Sequence, residues 1–109
     1  MPWLLRDGEV LASLEVAHER AARRKGLLGR DSIDGAMLLV PARSVHSIGM
    51  RFAIDVAWLD GELTVVRTVR LARNRMTRPV LRAHSVLEAE AGAFARWSLQ
   101  VGDRLERKD

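Results

Sequence analysis

The chain has 109 residues, enough to bury a core as one domain without disulfides or metal, and its 48% hydrophobic and 29% charged residues exclude a disordered polymer. Cysteine is absent, which excludes a disulfide framework, a thiol nucleophile and every zinc site built on thiolates. The net charge of +4 is uneven: no acidic residue falls between Glu62 and Glu88, where Arg67, Arg70, Arg73, Arg75, Arg78 and Arg82 lie, and the rest of the chain carries 12 basic against 14 acidic residues.

Taken in chain order, WLLRDGEVLASLEV predicts two short strands around the Asp7-Gly8 turn signal. The interruption by Arg6, Asp7 and Glu9 leaves no apolar run of signal-peptide type, so a cytoplasmic location is expected. AHERAARRKGLLGR mixes alanine and leucine with charges, and Arg23, Arg24 and Lys25 fall near its end, where they complement a helix dipole. A helix from about Ala17 to Leu28 is expected, with Gly26 weakening its last turn and Gly29 as the stop.

DSIDG is a turn, and AMLLV, bounded by Gly35 and Pro41, is a buried strand. PARSVHSIG is a loop, where rigid scaffolds often present functional groups. In FAIDVAWLD the residues Phe52, Ile54, Val56 and Trp58 share one face, and Ala53, Asp55, Ala57 and Leu59 the other. Asp60-Gly61 turns the chain into a partner strand, LTVVRTVRLA. RNRMTRPVLRAH is an Arg-rich loop, SVLEAE a strand, AGAFARWSL a short helix, and QVGDRLE a turn into a final strand. The expected fold is therefore α+β and mostly β, a single domain over residues 1–109 built as a small antiparallel β-sandwich or half-barrel with two short helices.

The segments ERAARRKGLLGR, AMLLV, HSIGMRFAIDVAWLD, SVLEAEAG and VGDRL, in this order and from about Glu15 to Leu105, resemble the family catalogued as domain of unknown function 192. The resemblance implies a compact, mostly β, sandwich-like fold and no established activity, and it marks His46, Met50, Asp55, Glu88 and Gly92 as positions of the family pattern. The chain departs from that pattern at Ala53, where the family often has proline, and the export signal or lipid attachment many relatives carry is not expected here.

Asp55 interrupts an apolar strand, and a buried carboxylate must be paired or hydrogen-bonded. Arg51, on the same face, is about 13 Å away along a straight strand, so His46, Ser47 and Arg30 are the candidate partners. A scaffold role, with Asp55 pinning the loop, competes with a role as acid, base or ligand carboxylate. His46, with an ordinary pKa near 6.5, suits proton transfer, and with Asp55 orienting it would be a general base. No nucleophile accompanies the two, since Ser44, Ser47 and Ser85 lack a Gly-x-Ser-x-Gly setting.

Met37, Met50 and Met76 raise a soft-metal reading with His46 or His84, but their apolar flanks favour packing, and neither metal nor cofactor is expected. Gly26 and Gly29 match no phosphate loop and read as packing and helix-end glycines. Glu88 shares a strand face with Glu90 and is expected to pair an arginine of the basic loop. Arg73, Arg75 and Arg78 suit forked recognition of carboxylate or phosphate, whereas the lack of aromatic residues among them argues against nucleic acid.

These readings converge on a non-enzymatic binding or accessory module that recognises an anionic small molecule or a protein segment, with no membrane partner. Its expected site lies between the HSIGM loop, Asp55 and the Arg-rich loop 73–82, drawing on His46, Met50, Arg51, Asp55, Arg73, Arg75, Arg78 and Glu88. A small enzyme using His46 and Asp55, and a purely structural interaction protein, are the alternatives.

Overall fold

A computed structural model describes residues 2–109. Seven strands and two short helices follow one another as β1 (Trp3–Arg6), β2 (Glu9–Ala17), α1 (Arg20–Lys25), β3 (Ala36–Leu39), β4 (Ile54–Leu59), β5 (Val65–Leu71), β6 (Ser85–Glu90), α2 (Ala93–Arg96) and β7 (Glu106–Lys108). The fold is α+β and mostly β, as the short alternating segments predict. The strands form one sheet in the order β5-β4-β6-β3-β2-β1-β7. Its pairings are antiparallel apart from β2 with β3, which run parallel because the chain crosses over between them through α1.

The two ends of the sheet meet. Val65 N–H donates to the Asp103 carbonyl, Gly102 N–H to that of Val65 and Leu105 N–H to that of Leu63, at 2.8, 2.8 and 2.9 Å. The seven strands thus form a single curled sheet and not the two packed sheets of a sandwich, and the start of β5 is not left as an open edge.

Period-two alternation in the central strands splits the core into two layers. Leu38, Ala57, Leu59, Leu87 and Ala89 pack inside the curl with Phe94 of α2. Met37, Leu39, Ile54, Val56, Trp58 and Val86 face the other way, under Leu27, Ile33, Met50 and Ala83 from the connecting segments. β4 is buried along its whole length, so its two faces read as two separate cores.

Helix α1 is shorter than the expected span of 17 to 28. Val16 and Ala17 continue β2, pairing with Leu38 and Leu39 of β3, and Glu19 is the N-cap residue. At the other end Gly26, with φ +48°, stops the helix one turn before Gly29, a backbone conformation that glycine adopts without steric cost.

Candidate functional site

The HSIGM loop is zipped to the Arg-rich loop by backbone bonds centred on Ser47, which is fully buried. The Ser47 hydroxyl donates to the Ala72 carbonyl at 2.5 Å and accepts from Arg75 N–H at 2.9 Å. The Ser47 N–H donates to the Arg75 carbonyl at 2.8 Å, and Asn74 N–H to the Ser47 carbonyl at 2.9 Å. His46 bridges to Met76, and its Nδ1 accepts from Ile48 N–H at 3.2 Å. That last contact holds the ring against its own loop.

Asp55 does not belong to this corner. Its side chain lies on the inner face of β4 with Ala57 and Leu59, whereas the HSIGM loop packs on the outer face through Met50. The carboxylate accepts from Arg70 Nε at 3.1 Å, from Gly92 N–H at 2.9 Å and from Phe94 N–H at 3.1 Å. Arg70 stands directly across the β4–β5 pairing from it. Asp55 therefore ties the entry of α2 to the sheet, and the expected partners His46, Ser47 and Arg30 are not the ones it uses. The expected His46–Asp55 acid–base pair does not form, since a sheet separates the two.

Glu88 is also placed unexpectedly. Its neighbours across the sheet are Met37 and Val56, on the outer face, and its side chain is 3% exposed. No arginine pairs with it, and its Oε1 is buried without a hydrogen-bond partner. Burial alone pushes its carboxyl up from 4.5 to about 7.

Glu88 lines a cavity of about 360 Å³ between α1, the turn at Gly26–Leu28, the end of β3 and the loop from Pro41 to His46. Leu27, Leu28, Leu39, Val45 and Met50 give it apolar walls, and Arg20, Arg23, Arg24, Lys25 and Arg43 place five cationic side chains around it. None of the five makes an ion pair among the described residues. Arg23 donates to the His18 carbonyl and Arg43 Nε to that of Ala83 at 3.1 Å, so two of the guanidinium groups are anchored by the backbone. Trp58 Nε1 donates to the Arg43 carbonyl at 2.8 Å and holds the loop over the sheet. A larger depression of about 650 Å³ between Asp7, residues 61–63 and residues 104–107 is formed mostly by exposed residues of two turns and β7 and contains no buried polar side chain.

The structure thus brings together three of the residues singled out in the sequence: His46, Met50 and Glu88 share the cavity. Arg51 instead pairs with Asp31 at 2.8 Å in the open, and Arg73, Arg75 and Arg78 are exposed and do not line the cavity. The residues not foreseen are Arg43 and the basic run of α1. The signal is present in the sequence, as four cations in six residues directly before Gly26, but the same run also complements a helix dipole and so does not by itself mark a site. Among the described residues no group of three His, Asp or Glu side chains is arranged to hold a metal ion, and no helix is long and apolar enough to cross a membrane.

A small β-rich α+β domain with a cavity rimmed by the basic residues of α1 and Arg43 is thus the class that fold and site define. Residues 4–107 match the family described as "Uncharacterized ACR, COG1430", domain of unknown function 192, and the chain belongs to it. UPF0127 protein PF1050 of Pyrococcus furiosus is 40% identical over 63 residues, 58% of this chain and 54% of that protein, so the match spans about half the length of each. The crystal structure of a protein of unknown function from Novosphingobium aromaticivorans superposes with a TM-score of 0.81 at 19% identity, covering 96% of this chain and 82% of that one. That of "a putative transcription regulator" of Sinorhizobium meliloti gives 0.78 at 21% identity, covering 97% and 91%. At these identities the two structures show the shared fold.

Proposed function

We propose that the protein is a binding module for a small anionic molecule with an apolar body, held in the cavity between α1, the Pro41–His46 loop and β6. The observation that carries this reading is the set of five cations without acidic partners around an apolar cavity of about 360 Å³. The volume falls in the range of small-molecule sites, and guanidinium groups suit a carboxylate or phosphate in forked geometry. The Arg-rich loop 73–82 serves this site indirectly, by bracing the HSIGM loop through Ser47.

The test is a titration with octanoate and octyl phosphate, followed by amide chemical shifts. Saturable shifts confined to α1, the Gly26 turn and residues 41–50 are expected. Arg20→Gln with Arg24→Gln is expected to weaken binding roughly tenfold, the loss of about one charge-assisted contact. Shifts scattered over the surface, or affinity indifferent to the two arginines, would refute the reading.

One observation favours a second reading, an acid–base enzyme. Glu88, with its carboxyl near 7, lines the same cavity as His46. In that case Glu88 takes the role that the sequence suggested for Asp55, and turnover would follow a bell-shaped pH profile lost in Glu88→Gln.

A further inference from the structure

We infer that Glu88 is the specificity group of this cavity, and that the ligand carries a hydrogen-bond donor at the end opposite its anionic group. The class is an ω-hydroxy or ω-amino carboxylic acid, or the corresponding phosphate, with an apolar middle. This deepens the binding reading above and rests on it.

The starting point is a polar atom left without a partner. A carboxyl oxygen buried without a hydrogen bond opposes folding, and native proteins contain few of them. Glu88 Oε1 is one of two such side-chain oxygens among the described residues, and Glu88 is the one that lines the cavity. Its strand neighbours cannot supply a donor, because Met37 and Val56 are apolar and the backbone groups around them are engaged in the β3–β6 and β4–β6 ladders.

The nearby chain covers that oxygen without supplying it a donor. A Cβ at position 26 would stand 3.1 Å from Oε1, and Gly26 at φ +48° lets the end of α1 pack close to it without a side chain in the way. The charged groups that share the cavity come from two elements. Arg20, Arg23, Arg24 and Lys25 belong to α1, and Arg43 and His46 to the loop after β3. None of them hydrogen-bonds to Oε1. Burial, not a nearby charge, accounts for the raised carboxyl, so these cations do not compensate Glu88.

A ligand with an anion at the cations, a hydrocarbon stretch against Leu27, Leu39 and Met50, and a hydroxyl or ammonium at Glu88 would satisfy all three surfaces. A ligand with a methyl terminus would bury the carboxyl further and leave it unpaired, which is the stronger basis for rejection in recognition sites.

The experiment compares octanoate, 8-hydroxyoctanoate and 8-aminooctanoate by calorimetry and amide shifts on the wild type and on Glu88→Gln and Glu88→Leu. On the wild type, at least one donor-tipped acid is expected to bind roughly tenfold or more tightly than octanoate, the discrimination of one buried hydrogen bond. Glu88→Gln, which keeps an acceptor, should retain the hydroxy acid's preference, and Glu88→Leu should reverse it in favour of octanoate. Equal affinity of all three acids for the wild type overturns the inference and leaves the binding module standing. No saturable binding by any of them overturns both. The wild-type comparison decides the matter even if Glu88→Leu does not fold.

Discussion

Replacing Glu88 by Gln should stabilise the protein in a pH-dependent way. In the unfolded chain the carboxyl ionises near 4.5, and in the folded chain burial holds the proton to about 7. Between those values the folded state binds more protons than the unfolded one, so stability falls as pH rises through this window. The penalty is complete above about pH 7 and amounts to about 3 kcal/mol, taking 1.36 kcal/mol per pH unit of separation. Gln has nearly the same shape and no charge to lose. Glu88→Gln should therefore match the wild type near pH 4 and exceed it by about 3 kcal/mol near pH 8. In a domain of this size that raises Tm by about 10 °C or more. Urea and thermal unfolding of both proteins at the two pH values measure the effect, and all other titrating groups cancel in the comparison. A difference that is the same at both pH values would refute the reasoning, because it would mean that folding does not displace the Glu88 ionisation.

Asp55→Ala leaves Gly92 N–H and Phe94 N–H without their acceptor and should cost about 3 kcal/mol in urea unfolding, with faster amide exchange in α2; a loss under about 1 kcal/mol contradicts the tie to α2. Ser47→Ala should cost about 1–2 kcal/mol and speed exchange at Asn74 and Arg75 while leaving α2 protected, so faster exchange in α2 would count against a local brace. Gly26→Ala meets both the Glu88 contact and the positive φ, and should lose about 1–2 kcal/mol by thermal unfolding; a neutral result would show that α1 can shift away. Ser at Arg73, Arg75 and Arg78 together should change stability by under about 1.5 kcal/mol, because all three are exposed, and a larger loss would show that the loop depends on them.

Much of the fold was legible because its signals are local. The Asp7-Gly8 and Asp60-Gly61 turns, the alternation in FAIDVAWLD and the apolar run AMLLV each state a strand or hairpin within a few residues, and β1, β2, β3, β4 and β5 follow from them. Helix α1 is shorter than the expected 17–28 because Ala17 is claimed by pairing with Leu39 of β3, a partner about twenty residues away, and Gly26 ends the helix before Leu28. Of the cavity lining, His46, Met50 and Glu88 stand out in the sequence, whereas nothing local marks the cations of α1 and Arg43 as its rim.

The deciding difference is which face of the sheet each residue serves. A period of two assigns Asp55 and Glu88 each to one side of its own strand, and the sequence alone determined that alternation. It carries no information on which covering segment lies above each face. The packing of α2 over Asp55 gave that carboxylate two backbone N–H donors and a scaffold role. The parallel crossover through α1 set a basic helix end and an open cavity above Glu88 and left its oxygen unpaired. Two acidic residues in similar apolar strands thus stand in opposite settings, one fully paired and one not, because the free energy of a buried charge is fixed by the donors around it, and tertiary packing alone supplies or withholds them.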